Sequence, residues 1–200
     1  MKKAIKFFSI LTVLAMALAI ATTPAAAAAL NSNVGTVTLN ASLPESLTVS
    51  VTGGATVNFT LAANTAANPG STASTIKTAW VLAPGRTAVT VWAWVANGAA
   101  ALTDGAGDNI AASAVTAAAA GSNSAGGALN SVTSGGAGVP AFITPAAATG
   151  VQIGNVAITA ANRASSTTTT VTWNIDTTPT PQLPAATYTG TVNIQAQATP

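Results

Sequence analysis

Tyr188-Thr-Gly-Thr-Val-Asn-Ile-Gln-Ala-Gln-Ala198 decides the fold class. Tyr188, Val192, Ile194, Ala196 and Ala198 fall on one side of an extended chain. Thr187, Thr189, Thr191, Asn193, Gln195 and Gln197 fall on the other. A period of two with one apolar side describes a strand that rests one face on a core and turns the other to water.

Working outward, the pattern recurs in Thr167, Thr169, Val171, Trp173 and Ile175, and again in Ile76, Trp80 and Leu82. Further candidate strands cover Val34–Ala41, Ser46–Thr52, Thr56–Ala62, Thr87–Val95 and Val151–Ala160. Turn signals stand between them at Leu43-Pro44-Glu45, Gly53-Gly54, Pro84-Gly85 and Leu183-Pro184. No stretch beyond the first thirty or so residues carries a capped helical period. The expectation is an all-β chain, an immunoglobulin-like antiparallel β-sandwich forming a single domain over residues 30–200. Residues 96–149 are dominated by Ala, Gly, Ser and Asn and read as a long loop-rich excursion, with short strands at most near Ser113–Ala118, Leu129–Val132 and Ala141–Thr144.

The N-terminus reads as a signal peptide over residues 1–29. Lys2, Lys3 and Lys6 precede the apolar run Phe7–Ile20, which is short for a membrane span, and small residues up to Ala29 offer a cleavage site. A secreted or cell-surface location follows, with no membrane insertion after the signal is removed. Its loss takes away three of the six basic side chains. Lys77, Arg86 and Arg163 then face Glu45, Asp104, Asp108 and Asp176, a net charge of −1. No basic patch remains for nucleic acid. So few charges also remove the usual electrostatic barrier to self-association, and a homo-oligomer or polymer is expected.

The chain has no His and no Cys, so Ser-His and Cys-His nucleophiles and the common zinc and copper sites have no residues to build them. No enzyme activity, cofactor or metal is expected. Asp104, Asp108 and Asn109 sit in one Gly-rich loop whose oxygens suit either calcium or a turn bonded to its own backbone; the turn is the simpler reading. The Thr167–Thr170 run is too irregular for a flat ice-binding array and reads as a solvated strand face. The glycosylation sequons at Asn40 and Asn58 lie inside expected strands and read as chance.

In Thr87–Val95, residues Val89, Val91, Ala93 and Val95 form one face and Thr90, Trp92 and Trp94 the other. With the valines on a core, two indoles about 7 Å apart leave the opposite face. Three arrangements accommodate them: cover by the Ala-rich excursion or a neighbouring subunit, a platform for polysaccharide, or the reverse assignment of faces.

The segment Leu183-Pro-Ala-Ala-Thr-Tyr-Thr-Gly-Thr-Val-Asn-Ile-Gln-Ala-Gln-Ala198 resembles the closing strand of spore coat U-like and archaic chaperone-usher pilin domains, in which a Pro-Ala-Gly-Thr-Tyr-type turn precedes a long alternating strand. The resemblance covers about fifteen residues, and this chain lacks the cysteines that family commonly carries. It implies an incomplete sandwich whose missing strand comes from the N-terminal extension of another subunit. Leu30, Val34, Val37, Leu39 and Ala41 would form that assembly strand, in a charge-free stretch compatible with the role. A first strand folding back into its own sandwich is equally compatible. The functional expectation is a structural subunit of an extracellular filament or surface layer assembling by β-strand addition. The alternative is a secreted carbohydrate-binding or adhesive module using Trp92 and Trp94.

Overall fold

The computed structural model describes residues 29–121, 125–180 and 182–200. The expected signal peptide, Ala29 apart, lies outside the described residues. Two units divide the chain, residues 1–41 and 42–200.

In the first unit, residues 29–41 form neither helix nor strand. Leu30, Val34, Val37 and Leu39 are between 85% and 99% exposed, and Ala41 is exposed as well. The strand expected over Val34–Ala41 is therefore not formed within this chain. An alternating segment has no stability of its own; it needs a neighbouring edge for its N–H and C=O groups and a pocket for its apolar face.

The second unit carries twelve strands among the described residues: β1 (Ser46–Gly53), β2 (Asn68–Pro69), β3 (Ser74–Val81), β4 (Ala88–Val95), β5 (Leu102–Thr103), β6 (Asn109–Ile110), β7 (Val115–Ala120), β8 (Gly126–Ala128), β9 (Val132–Thr133), β10 (Thr149–Ala157), β11 (Ala164–Ile175) and β12 (Asn193–Thr199). They form two main antiparallel sheets. The first has the order β1-β3-β11-β7-β8, with β2 also paired to β11, and the second has the order β12-β4-β10-β9. A small hairpin, β5–β6, stands apart.

Alternation places the side chains as the sequence requires. Ser74, Ile76, Thr78 and Trp80 of β3 are buried, as are Thr169, Val171, Trp173 and Ile175 of β11, while Thr168, Thr170 and Thr172 face out. In the second sheet Val91, Ala93 and Val95 of β4 and Val151 and Ile153 of β10 join the same apolar core. Both sheets thus bury their inner faces in common. Burying a Val, Ile or Leu side chain is worth about 1.5–3 kcal/mol, so this shared core, with no disulfide to assist it, carries most of the stability.

Residues 96–149 are loop-rich as expected, with β7 (Val115–Ala120) on the short strand expected near Ser113–Ala118 and no strand at Ala141–Thr144, but they are more than a surface excursion. They contribute β5 to β9, and Ala101, Ile110, Ala112, Ala114, Val115, Ala117 and Leu129 are core residues. Alanine explains the difference: a small side chain gives a weak periodic signal, yet it lets β7 pack tightly beside β11, with Ala117 opposite Trp173. Two expected strands are also shorter than their alternation. Thr56–Ala62 makes only the Phe59–Gly70 bridge, and the last ladder starts at Asn193 rather than Tyr188. β4 ends at Val95, so Tyr188–Val192 has no long neighbour and makes one bridge, Thr189 to Thr103.

Candidate functional site

These two under-paired segments face each other across a groove of about 960 Å³. One wall is Gly54–Ala63, where Val57, Phe59 and Leu61 are half-buried and Thr56, Asn58 and Thr60 are exposed. The other is Leu183–Val192 with Ile194, where Leu183, Tyr188, Val192 and Ile194 are half-buried against the core. The floor includes Val115, Leu129, Trp173 and Ile175. Among the described residues no charged side chain lines it.

The groove lies where the two edge strands part. At the far end of the unit Leu47 of β1 and Ala198 of β12 pack on one cluster with Trp80, Leu82, Val89 and Ile158. Toward Val51 and Ile194 the edges separate and the groove opens. Among the described residues each of these strands has one ladder partner, β3 for β1 and β4 for β12. Each therefore has an unfilled edge, and an unfilled edge is a template for another strand.

Buried polar side chains hold the first wall where a ladder is missing. Asn68 is buried; its Oδ1 accepts from the Ala62 N–H at 2.7 Å, and its Nδ2 donates to the carbonyls of Thr65 at 3.0 Å and Ile175 at 2.9 Å. The Thr177 hydroxyl donates to Ala62 O at 2.7 Å and accepts from Thr65 N–H at 2.9 Å. The Trp173 indole N–H donates to Ser74 Oγ at 2.9 Å, which in turn donates to Gly54 O at 2.7 Å. Gly54 itself turns the chain with φ of 61°, the left-handed region that favours glycine, and a Cβ there would overlap the Ala73 carbonyl. Sequence reading missed Asn68, Ser74 and Thr177. The available signal was weak: isolated polar residues beside or within apolar runs.

On the second wall the Tyr188 hydroxyl donates to Pro184 O at 3.0 Å. Burial pushes its phenol pKa up, and the charges of Asp108 and Asp104 add to that. The β5–β6 hairpin supports this wall through two reciprocal 2.9 Å bonds between Thr103 and Thr189. A Cβ at Gly190 would overlap the Ala101 carbonyl, so only glycine allows this approach.

The other singled-out residues lie elsewhere. Trp92 is 7% exposed and clusters with Ile143 and Ala148, and half-buried Trp94, Val132, Val139 and Phe142 pack against that cluster. The valine face of β4 does meet the core, and residues from the Ala-rich region cover the indoles. Trp92 Nε1 donates to Thr90 Oγ1 at 3.0 Å. Asp104 uses Oδ1 on the N–H groups of Ala106, Gly107 and Asp108. Those bonds, the Ala106 N–H foremost, hold its carboxyl below the usual range. Among the described residues no three His, Cys, Asp or Glu side chains converge on a possible metal site, and no helix is long and apolar enough to cross a membrane.

No family of known proteins, no curated protein and no solved structure matches this chain.

Proposed function

We propose that the protein is a structural subunit of an extracellular filament or surface layer, and that it assembles by β-strand addition. In this reading residues 42–200 are an immunoglobulin-like sandwich lacking one strand, and residues 30–41 of a second copy fill the groove. The observation that carries it is the groove itself: a channel with apolar side chains on both walls and, among the described residues, no charged lining, between two segments that alternate like strands but have almost no ladder partners.

The extension matches that channel in kind. Leu30–Ala41 contains no charged residue and holds its large apolar side chains in water, a costly arrangement unless they are covered elsewhere. Val37, Leu39 and Ala41 share one side of an extended chain and suit pockets between Val57, Phe59, Tyr188 and Val192. Main-chain hydrogen bonds to the unfilled edges would supply the rest of the affinity.

A polysaccharide platform at Trp92 and Trp94 draws less support, because a stacking surface needs open ring faces and Trp92 has almost none. The test is deletion of residues 30–41 from the protein that begins at Leu30. Filaments should vanish in electron micrographs, and a peptide of residues 30–41 should bind the truncated protein and raise its melting temperature. Native filaments from the truncated protein, or a full chain that stays monomeric at high concentration, would overturn the reading.

A further inference from the structure

Among the described residues, the large apolar side chains left exposed ahead of β1 are Leu30, Val34, Val37, Leu39 and Leu43. Leu43 differs from the others in place. It belongs to the 42–200 unit, yet it is 80% exposed. Residues 41–45 form neither turn nor strand, so the turn signalled by Leu43-Pro44-Glu45 is not made and nothing folds Leu43 back onto its own unit.

Alternation says which of these side chains act together. Gly35, Val37, Leu39, Ala41 and Leu43 fall on one side of an extended chain, and none of them is polar; Thr36, Thr38, Asn40 and Ser42 fall on the other. The pattern fails toward the N-terminus, where Leu30 and Val34 take the parity of the polar side and Asn31 and Asn33 that of the apolar side. A strand that seats Val37 and Leu39 in an apolar groove therefore also seats Leu43, and it turns Leu30 and Val34 away, because a side-chain period of two leaves no other choice. Pro44 fits this end point. The residue before a proline is driven to extended backbone, and proline, with no N–H to donate, ends a ladder.

The chain's own groove is out of reach of Leu43. Glu45 is fixed where β1 begins: its Oε1 accepts from the Ala83 N–H at 2.8 Å, its carboxylate bridges to Arg86 at 3.1 Å, and Ser46 is laddered opposite Val81. The groove starts at Val51, five residues along β1 from Ser46, or about 17 Å at 3.3 Å per residue. Leu43 stands three residues before Ser46 and gets at most about 11 Å from it even when fully extended, and it would have to double back to do so. Val37 and Leu39 have slack enough to reach either groove. Leu43 has not.

We infer that Leu43 is a docking residue for a second copy of the chain, entering the neighbour's groove as the last inward position of a strand that runs from Gly35 to Leu43. The inference rests on the strand-addition reading and deepens it: the inserted face moves two residues toward β1, Leu30 and Val34 leave it, and the occupant becomes another molecule, because this side chain cannot serve its own. Only Pro44 and Glu45 then separate the inserted strand from β1. The Glu45–Arg86 end of one subunit therefore abuts the groove of the next.

The test uses the chain that begins at Leu30. It contains no cysteine, so Leu43→Cys, Leu39→Cys and Val34→Cys each take a single polarity-sensitive dye, and each labelled chain is diluted into unlabelled protein below and above the concentration at which filaments form. On assembly the emission should shift to the blue at positions 39 and 43 and stay that of a dye in water at position 34. In unlabelled chains Leu43→Ala should raise the critical concentration about 30- to 150-fold, Val34→Ala should change it by less than about twofold, and neither should move the melting temperature of the monomer. A dye at 43 that remains in water within filaments, equal shifts at 34 and 43, or a Leu43→Ala monomer that melts more than about 4 °C lower would overturn the inference. So would a blue-shifted dye at 39 in the monomer with 43 in water at every concentration, the result expected of a strand that folds back into its own unit. Filaments that vanish on deleting residues 30–41 while the dye at 43 stays in water would remove Leu43 and keep strand addition; filaments that survive the deletion would remove both.

Discussion

Leu39→Ala separates a side chain that serves its own subunit from one that serves a neighbour. In the described chain Leu39 is 89% exposed and belongs to no strand, so truncating it removes nothing that the isolated subunit buries. Surface changes of that kind alter folding stability by about 0.5 kcal/mol or less, a shift of roughly 2 °C at most for a chain of this size. If Leu39 enters a neighbour's groove, Leu→Ala withdraws three carbons from an apolar pocket. At about 0.8 kcal/mol per buried carbon this weakens the subunit contact by roughly 2–3 kcal/mol. At 1.4 kcal/mol per factor of ten, the dissociation constant rises about 30- to 150-fold. The assay pairs a thermal melt of the monomer with the critical concentration for filament formation, measured by sedimentation. An unchanged melt with a critical concentration raised by one to two decades is the expected result. A melting temperature lower by more than about 4 °C would place Leu39 in its own subunit's core, and an unchanged critical concentration would remove it from the contact; either refutes the reasoning.

Ser74→Ala should destabilise the subunit by about 1–3 kcal/mol in urea titrations followed by tryptophan fluorescence, because it orphans the buried Trp173 N–H and releases the Gly54 carbonyl. Asn68→Ala should have an effect of at least that size, since the Ala62 N–H and two carbonyls lose their partner together. The Arg86 hydrogen bond, then the Ala83 N–H, holds the Glu45 carboxyl below its usual range. A depressed folded-state pKa adds stability above the unfolded value and loses it as pH falls through the folded one. The melting temperature should therefore drop below roughly pH 4, with a shallower drop in Glu45→Gln. Chelators should leave the melting temperature unchanged, because Asp104 spends its inner oxygen on three backbone N–H groups; a fall of several degrees would reinstate an ion in that loop.

Much was legible along the chain because a strand writes its burial into a period of two. The buried faces of β3 and β11 were read from that period alone, whereas it left open which face of β4 meets the core, because both faces are apolar at the tryptophans. The charge-free character of residues 30–41, the absence of His and Cys, and the near-neutral balance beyond residue 29 are likewise properties of the chain, independent of how it folds. Tertiary structure decided whether each alternating segment finds a neighbour. Thr56–Ala62 and Tyr188–Val192 alternate as well as any strand, yet they become the walls of a groove, because a ladder depends on which edge lies alongside and no local pattern encodes that. Alanine hid the rest: the short strand expected near Ser113–Ala118 forms as β7, but its entry into the core together with Leu129 was not legible, because small side chains give little periodic signal even though their smallness allows the close packing. The pairing of Glu45 with Arg86 is likewise invisible in sequence order, where 41 positions separate them. It arises because antiparallel strands bring distant turns to a common end.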